Sequence, residues 1–230
     1  MSDLFRFETV DSTNDQALRQ LATGSTPPFG VVADQQTAGR GRQGRSWISE
    51  ATMGIYLTHV ELVAEVPTPL TLAPLAVGCG VADWLATLGL SVRLKWPNDL
   101  RVERAKIGGV LCEVRSQALL VGVGVNWFTA PKLDQQRTTH VQAHRVGVIE
   151  LPEAQRGLHN AVTGAFRWWR QQGNEALRER WWGLAERGRV SSDSWVGEPL
   201  GIAEDGALRL RDEAGAVHHI RAGDVEDVNS

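Results

Sequence analysis

The sequence predicts an α/β (α+β) protein in which a larger domain of strands and helices precedes a small all-β domain. Three observations support this fold class. Apolar runs typical of strands alternate with segments of helical periodicity, two such runs are separated only by a short turn, and short alternating runs replace the helical pattern after Gly188. We therefore predict domains at residues 1–187 and 188–230.

The first half of the chain predicts a helix, two strands and a second helix. Asp11 to Asn14 are helix N-cap residues, and Ser12 and Asp15 have the spacing of a capping box, so the first helix should run to about Thr23. Strands follow at 30–33 and 55–60, and the second helix covers 70–88, with Pro74 in its first turn.

The second half predicts three strands, two helices and the small β domain. The strands at 109–114 and 119–125 are close enough to form an antiparallel hairpin. The remaining predicted segments are a strand at 92–96, a polar connection at 131–148, helices at 151–172 and 174–186 joined at Gly173, and short strands at 199–202, 207–211 and 217–221. The two helices carry Trp168, Trp169, Trp181 and Trp182, which we expect in the core.

The composition is ordinary for a globular protein. Of the 230 residues, 42% are hydrophobic and 22% charged, with a net charge of −3, which argues against a general nucleic-acid binder. We find no run of 18 uninterrupted apolar residues and no secretory signal, so the expectation is a cytoplasmic protein without a membrane span. Cys79 and Cys112 lie in apolar runs, which favours buried thiols in a reducing compartment over a disulfide or metal site.

The segment TAGRGRQGRSW, residues 37–47, contains a G-x-G-x-x-G pattern. A dinucleotide-binding turn with this pattern must open a helix, whereas here a β-type run follows. Alternating glycine and arginine instead favours a loop that cradles an anion, because glycine exposes backbone N–H groups and arginine offers forked donors. Three arginines without an acid between them should repel one another, so we expect the loop to be mobile until an anion binds. A solvated basic turn remains the alternative.

Two further segments carry candidate polar groups. Lys106, one of three lysines in the chain, precedes Gly108-Gly109, where backbone can approach a ligand. The strand ending at Asn126 has glycines at 122 and 124 on one face, which is compatible either with close packing or with room for a flat ligand. There is no nucleophile elbow, HExxH or Cys/His cluster in the sequence, and we interpret His218-His219 as surface residues.

Taken in order, the motifs resemble those of biotin protein ligases. They are DSTN at 11–14, GRGRQGR at 39–45, KWPNDL at 95–100, KIGGVLCE at 106–113 and GVGVN at 122–126. The resemblance implies a mixed, largely antiparallel sheet flanked by helices, as in class II synthetase-like catalytic domains, followed by an SH3-like β-barrel. It also implies an enzyme that joins biotin and ATP to biotinyl-5′-AMP and then biotinylates a lysine of a biotin carboxyl carrier protein.

The resemblance further implies a role for particular residues. The biotin-binding set is Ser12, Thr13, Asn14, Gln36, Gly39, Arg40, Gly41, Arg42, Tyr56, Lys106, Gly108 and Gly109. The ATP-binding set is Arg40, Arg42, Arg45, Trp47, Asn98, Lys106 and Asn126, and the catalytic set is Lys106, Arg42, Arg45 and Asp99, with Asp99 as base or orienting group for the acceptor amine. Mg²⁺ is expected to bind through the ATP phosphates, without its own protein ligands.

Other functions are compatible with parts of this pattern. Lipoate ligases share the fold class and the chemistry but should have a different glycine-rich loop. A non-enzymatic module that binds carrier domains would have no use for three arginines and Lys106 together. Relatives that act as repressors have an N-terminal winged helix, for which a chain with motifs starting at Asp11 leaves no room. A homodimer formed through a sheet edge is compatible with the resemblance.

Overall fold

The computed structural model describes residues 3–51, 53–133, 136–144, 147–192 and 194–228. The predicted connection at 131–148 thus includes positions 134, 135, 145 and 146, which lie outside the described residues. Its described part contains a 3₁₀ turn at Val141–His144 and no other helix.

The described residues form three helices and two sheets. The helices are α1 (Thr13–Ala22), α2 (Ala73–Thr87) and α3 (Leu151–Leu184). The larger sheet contains β1 (Asp3–Val10), β2 (Phe29–Gln36), β3 (Gly54–Leu62), β4 (Arg93–Lys95), β5 (Asp99–Val102), β6 (Ala105–Arg115) and β7 (Ala118–Asn126). The smaller sheet contains β8 (Val190–Ser191), β9 (Val196–Ile202), β10 (Leu208–Arg211), β11 (Val217–Ile220) and β12 (Glu226–Asp227).

The larger sheet has the order β1-β2-β3-β7-β6-β5-β4. Its β1 and β2 are parallel, and the remaining neighbours are antiparallel, which confirms the mixed, largely antiparallel sheet. The predicted hairpin is β6–β7, closed at Ser116 and Gln117, which both have positive φ. Two strands of this sheet were not predicted: β1, where charged residues interrupt the apolar ones, and β5, which begins inside the predicted polar turn at Asp99. The short β8 and β12 of the smaller sheet were not predicted either.

The two faces of the larger sheet carry different layers. α2 and α3 pack on one face of the sheet and form the main core. On the other face, Ala17 of α1 packs against Phe29 and Val31 of β2. Leu70–Thr87 is long and apolar enough, by composition, to cross a membrane, but over half of it is buried in this core. The four predicted core tryptophans lie there too, with Trp169 and Trp181 fully inside.

Two local predictions need correction or refinement. Ser12 does precede α1, but its side chain makes no capping hydrogen bond, and the Asp15 carboxylate pairs with Arg40, so no capping box forms. α3 is continuous except at Gly173, where φ of +83° and ψ of 179° produce the predicted break between two helical segments.

The two cysteines differ in burial, and so do His218 and His219. Cys79 is buried and Cys112, predicted to be buried, is only half-buried; both are free thiols, and burial raises their pKa to about 12. His219 is exposed as predicted, whereas His218 is half-buried, stacks on Trp195 and contacts Asp212 at 2.7 Å.

The smaller sheet is the predicted C-terminal β domain, and it docks beside β4 and β5. Arg101 on β5 is nearly buried and pairs with Glu186 at 2.5 Å and with Asp227 at 2.7 Å. Burial opposes the charge of Arg101, but these carboxylates more than offset it and raise its pKa. Trp96 Nε1 also donates to the Gly206 carbonyl at 3.1 Å. These contacts bring β12 to the edge of the cavity described next.

Candidate active site

A cavity of about 670 Å³ lies between the larger sheet, the arginine–glycine loop and the end of the smaller sheet. Most of the predicted site residues line it, namely Ser12, Thr13, Asn14, Gln36, Arg40, Gly41, Arg42, Arg45, Trp47, Tyr56, Asn98, Asp99, Lys106, Gly109 and Asn126. Gly39 and Gly108 do not. A Cβ on Gly39 would lie 2.4 Å from the Trp47 carbonyl oxygen, and one on Gly108 would lie 2.7 Å from that of Gly124. These two glycines therefore permit close backbone packing behind the wall.

One end of the cavity is a neutral hydrogen-bonded chain at the start of α1. Gln36 Oε1 accepts from the backbone N–H of Thr13 at 2.9 Å and from its hydroxyl at 3.1 Å, while Gln36 Nε2 donates to Ser49 at 2.8 Å. The buried Thr58 hydroxyl lies 2.8 Å from Thr13 Oγ1 and 2.5 Å from Asn14 Oδ1. Because these protein groups bond one another, this end is a preformed polar pocket.

The arginine–glycine loop forms a tight turn at the open side of the cavity. Gly41 N–H donates to Arg45 O at 2.7 Å, Trp47 N–H donates to Gly39 O at 2.9 Å, and Gly44 has a φ of +74° that favours glycine. The backbone thus turns back on itself, as a hairpin does, and presents its arginines on both sides.

Each loop arginine is paired with an acid from elsewhere in the chain. Arg40 contacts Asp15 at 2.5 Å and Glu113 at 3.2 Å, which raises its pKa. Arg42 and Arg45 share Asp224, which lies between β11 and β12, at 2.9 and 2.6 Å. The premise that these arginines have no acid to offset their mutual repulsion was therefore wrong, because carboxylates distant in sequence lie beside each of them. Mobility of the empty loop stays a prediction.

Lys106 lies at the other end of the cavity, opposite the neutral chain. Its ammonium is 2.7 Å from Asp99 Oδ1 and 5.5 Å from the centroid of the Trp47 ring. Gln136 Nε2 donates to the second oxygen of Asp99 at 3.3 Å. Asn98 holds the neighbouring strand through Val110 O at 2.7 Å and lies 3.4 Å from Arg42. An acid, two amides and cations therefore meet where β5 and β6 begin.

Gly122 and Gly124 of β7 line the cavity and also pack closely against side chains. A Cβ on Gly124 would lie 2.5 Å from the Trp47 indole, and one on Gly122 would lie 3.0 Å from Asn14 Oδ1. Both interpretations of the sequence, close packing and room for a ligand, are therefore compatible with the structure. Asn126 donates to Thr139 O at 3.0 Å, and Trp47 Nε1 is a buried donor with no partner among the described residues, which leaves it available to a ligand.

Several residues in or beside the cavity wall were not singled out from the sequence. Gln136 and Asp224 line the cavity and had no local signal. Thr58, Ser49 and Glu113 do not line it but bond Asn14, Gln36 and Arg40, which do. Thr58 was detectable as a polar residue inside an apolar strand, and Glu113 ends the KIGGVLCE motif. Within the described ranges, no three His, Cys, Asp or Glu side chains cluster as a metal site would require. The arrangement can hold an elongated ligand with a neutral polar head and an anionic tail.

Comparison with known proteins agrees with this chemistry. The profile of the Biotin/lipoate A/B protein ligase family matches residues 6–128, and the chain belongs to that family. It is 34% identical over 226 residues to the biotin–[acetyl-CoA-carboxylase] ligase of Mycobacterium tuberculosis, covering 93% of this chain and 85% of that protein. It is 32% identical over 243 residues to the corresponding ligase of Paracoccus denitrificans, covering 90% and 93%.

The fold is also shared with solved structures. The biotin protein ligase of Aquifex aeolicus in complex with biotin and ATP aligns with a TM-score of 0.80 at 25% identity, and 98% of each chain is covered. The sheet flanked by helices and the small C-terminal β domain are therefore those of the biotin ligase fold.

Proposed function

We propose that this protein is an ATP-dependent biotin–[biotin carboxyl carrier protein] ligase. One observation carries the proposal: a preformed neutral pocket and a cluster of Lys106, Arg42 and Arg45 occupy the two ends of one cavity. Biotin has a neutral, hydrogen-bonding ring system at one end and a carboxylate at the other, which matches this division. The relatives named above as biotin–[acetyl-CoA-carboxylase] ligases support the same substrate.

In the first step, a biotin carboxylate oxygen attacks the α-phosphorus of ATP, and the bond to the pyrophosphate leaving group breaks. Both reactants are anions, so the cations must offset their repulsion and stabilise the charge of the transition state. We assign Lys106 to the carboxylate and the α-phosphoryl oxygens, Arg40 and Arg42 to the adenylate phosphate, and Arg45 to the triphosphate. Mg²⁺ brought with ATP supplies further charge for the departing pyrophosphate.

The division of the cavity into a neutral end and a charged end also guides the assignment of the biotin and adenine pockets. We assign Ser12, Thr13 and Gln36 to the biotin ring system, with Asn14 as a support behind them. Tyr56 and Gly109 form the pocket wall, and Trp47 and Asn126 lie beside the adenine. Gly39, Gly41 and Gly108 act through the backbone that they allow to pack closely.

In the second step, the neutral acceptor amine attacks the biotinyl carbonyl carbon, and AMP departs while the amine loses a proton. Asp99 is the candidate that acts on this amine, with Asn98 beside it. Its 2.7 Å contact with Lys106 favours an orienting role over that of a free base. Asp99→Asn should slow transfer from preformed biotinyl-AMP at least tenfold; transfer as fast as in the wild type would remove Asp99 from this step.

The decisive experiment follows pyrophosphate release with ATP, Mg²⁺ and either biotin or lipoate. Biotin-dependent release, followed by biotinylation of a biotin carboxyl carrier domain, is the expected result. Release with lipoate alone would instead support the sister activity, lipoate ligation. Release with neither acid would defeat the adenylation proposal.

The proposal also covers the domain boundaries, the cellular location, and binding to nucleic acid or membranes. We propose domain boundaries at 1–187 and 188–230, supported by the start of the smaller sheet at Val190. The two free thiols support a reducing cytoplasmic location. We propose no role in nucleic-acid or membrane binding.

Besides the outer edges of β1 and β4, the larger sheet has an edge on β6, which we propose for a homodimer or for the carrier domain. β5 pairs with β6 only as far as Gly109, so residues 111–115 pair on one side, with β7. Such an edge can accept another strand. Sedimentation equilibrium of the full chain, with and without the carrier domain, tests both associations.

A further inference from the structure

Glu113 on β6 joins two parts of the cavity that belong to different elements. Its Oε2 accepts from Asn14 Nδ2 at 2.6 Å and from Arg40 Nη2 at 3.2 Å. Asn14 belongs to the polar pocket at the start of α1, and Arg40 belongs to the loop at the open side. Glu113 has most of its side chain shielded from solvent, and Arg115 contacts its other oxygen at 3.3 Å.

The amide of Asn14 is fully used inside the protein. Its oxygen lies 2.5 Å from the Thr58 hydroxyl and its nitrogen donates to Glu113, while only 3% of the residue is exposed. Thr58 in turn contacts Thr13, which bonds Gln36. An unbroken set of hydrogen bonds therefore runs from the polar pocket through Asn14 and Glu113 to the loop arginine.

Arg40 has a second acid that provides an internal comparison. Asp15 contacts Arg40 at 2.5 and 2.9 Å, but among the described hydrogen bonds its carboxylate makes none with Asn14. Asp15 can therefore hold Arg40 without contacting the residues of the polar pocket. Glu113 contacts both groups, so it alone of the two acids connects them.

We propose that Glu113 is a positioning residue that couples the biotin pocket to the loop, so that biotin and ATP each strengthen binding of the other. This inference rests on the proposed function. A ligand that fixes Thr13 and Asn14 also fixes the Glu113 carboxylate, and that carboxylate holds Arg40 in place for the nucleotide. By thermodynamic linkage the same factor acts in both directions.

The test measures biotin affinity of the full chain by calorimetry, with and without α,β-methylene-ATP and Mg²⁺. The ratio of the two dissociation constants is the coupling factor. We expect a factor of at least five for the wild type, a factor below two for Glu113→Gln, and for Asp15→Asn a factor closer to the wild type than to one. Glu103→Gln, an exposed glutamate in the β5–β6 turn, is the matched control and should behave as the wild type.

A second pair of variants separates coupling from a general loss of structure. If Glu113 acts through Arg40, Glu113→Gln should not change the coupling factor in an Arg40→Gln background, although it lowers the factor in the wild type. An unchanged factor in Glu113→Gln, or equal loss in Asp15→Asn, would overturn the inference while leaving the proposed function intact. A wild type that binds biotin with a factor of one overturns it too. Absence of biotin binding by the wild type would defeat both.

Discussion

The two ends of the cavity stabilise their polar groups in different ways. At the start of α1 the groups are neutral, and Thr13, Asn14 and Thr58 satisfy one another in a buried chain. At the Lys106 end the groups are charged, and Lys106, Arg42 and Arg45 each have a carboxylate of the protein beside them. In the proposed reaction, the phosphates of ATP would compete with these carboxylates for the cations, whereas the neutral end has no such competition.

This difference follows from the cost of burying polar groups. A hydroxyl or amide needs one good partner, and an unpaired buried one costs about 1–3 kcal/mol. A charge that is largely shielded from solvent, as on Lys106 and Arg42, costs more when it has no partner, so these two cations are stabilised by nearby carboxylates. Asp99 and Asp224 serve this purpose here.

Replacing the central cation should give the largest effect. Lys106→Ala removes the ammonium from the carboxylate and phosphoryl oxygens, so biotin-dependent pyrophosphate exchange should fall roughly 10²–10³-fold, equivalent to ~3–4 kcal/mol. Lys132→Ala removes an exposed lysine of the connecting segment and is the matched control. A loss below tenfold in Lys106→Ala would show that the charged end does not depend on this residue.

A fall in pH should destabilise the fold through His159, on the face of the larger sheet that α3 covers. His159 is buried between α3 and β3, and burial together with the neighbouring His59 lowers its pKa to about 4. Unfolding restores a pKa near 6.5, so the unfolded state binds the extra proton between these values and stability falls as the pH drops through them, by about 3 kcal/mol in all.

Urea denaturation between pH 7 and pH 4 checks this value. His159→Gln should flatten the dependence, whereas His219→Gln, at an exposed site, should not. An unchanged slope in His159→Gln would assign the acid sensitivity to other groups.

Thr58→Val tests the neutral end with almost no change in side-chain volume. The hydroxyl is lost, so Asn14 Oδ1 loses a partner, and the free energy of unfolding should drop by about 1–3 kcal/mol. Biotin affinity should weaken while ATP affinity changes little. Thr58→Ser retains the hydroxyl and should restore biotin binding; equal loss of ATP affinity in Thr58→Val would contradict the division of the cavity.

The fold was more accessible from sequence than the charge pairing. Periodicity and turn residues predicted α1, α2, the β6–β7 hairpin and the break at Gly173, because each depends on neighbours a few positions away. β1 was missed because charged residues interrupt its apolar pattern, and β5 because it starts inside a polar turn. The resemblance supplied the mixed, largely antiparallel sheet and the expected site residues.

The carboxylate partners could not be predicted, because their positions depend on tertiary packing. Glu113 lies 73 residues from Arg40 in sequence, and Asp224 lies 182 residues from Arg42. Local sequence showed three arginines without an acid and therefore suggested repulsion. A sequence pattern can identify which cations are concentrated, but only the fold shows what neutralises them.

Asp224→Asn should have the smallest effect and tests whether the charged end must exchange its partners. The carboxylate pairs with Arg42 and Arg45 but is 30% exposed, so each pair contributes only ~0.2–1 kcal/mol. Because ATP must displace this carboxylate, its removal should lower the KM for ATP by up to about fivefold at low salt and by less at high salt, where screening already weakens the pair. Glu226→Gln, a 75% exposed neighbour, is the control and should leave the KM unchanged. An increase in the KM for ATP in Asp224→Asn would mean that the carboxylate holds the arginines in the geometry that ATP needs, and the charged end would then be as preformed as the neutral one.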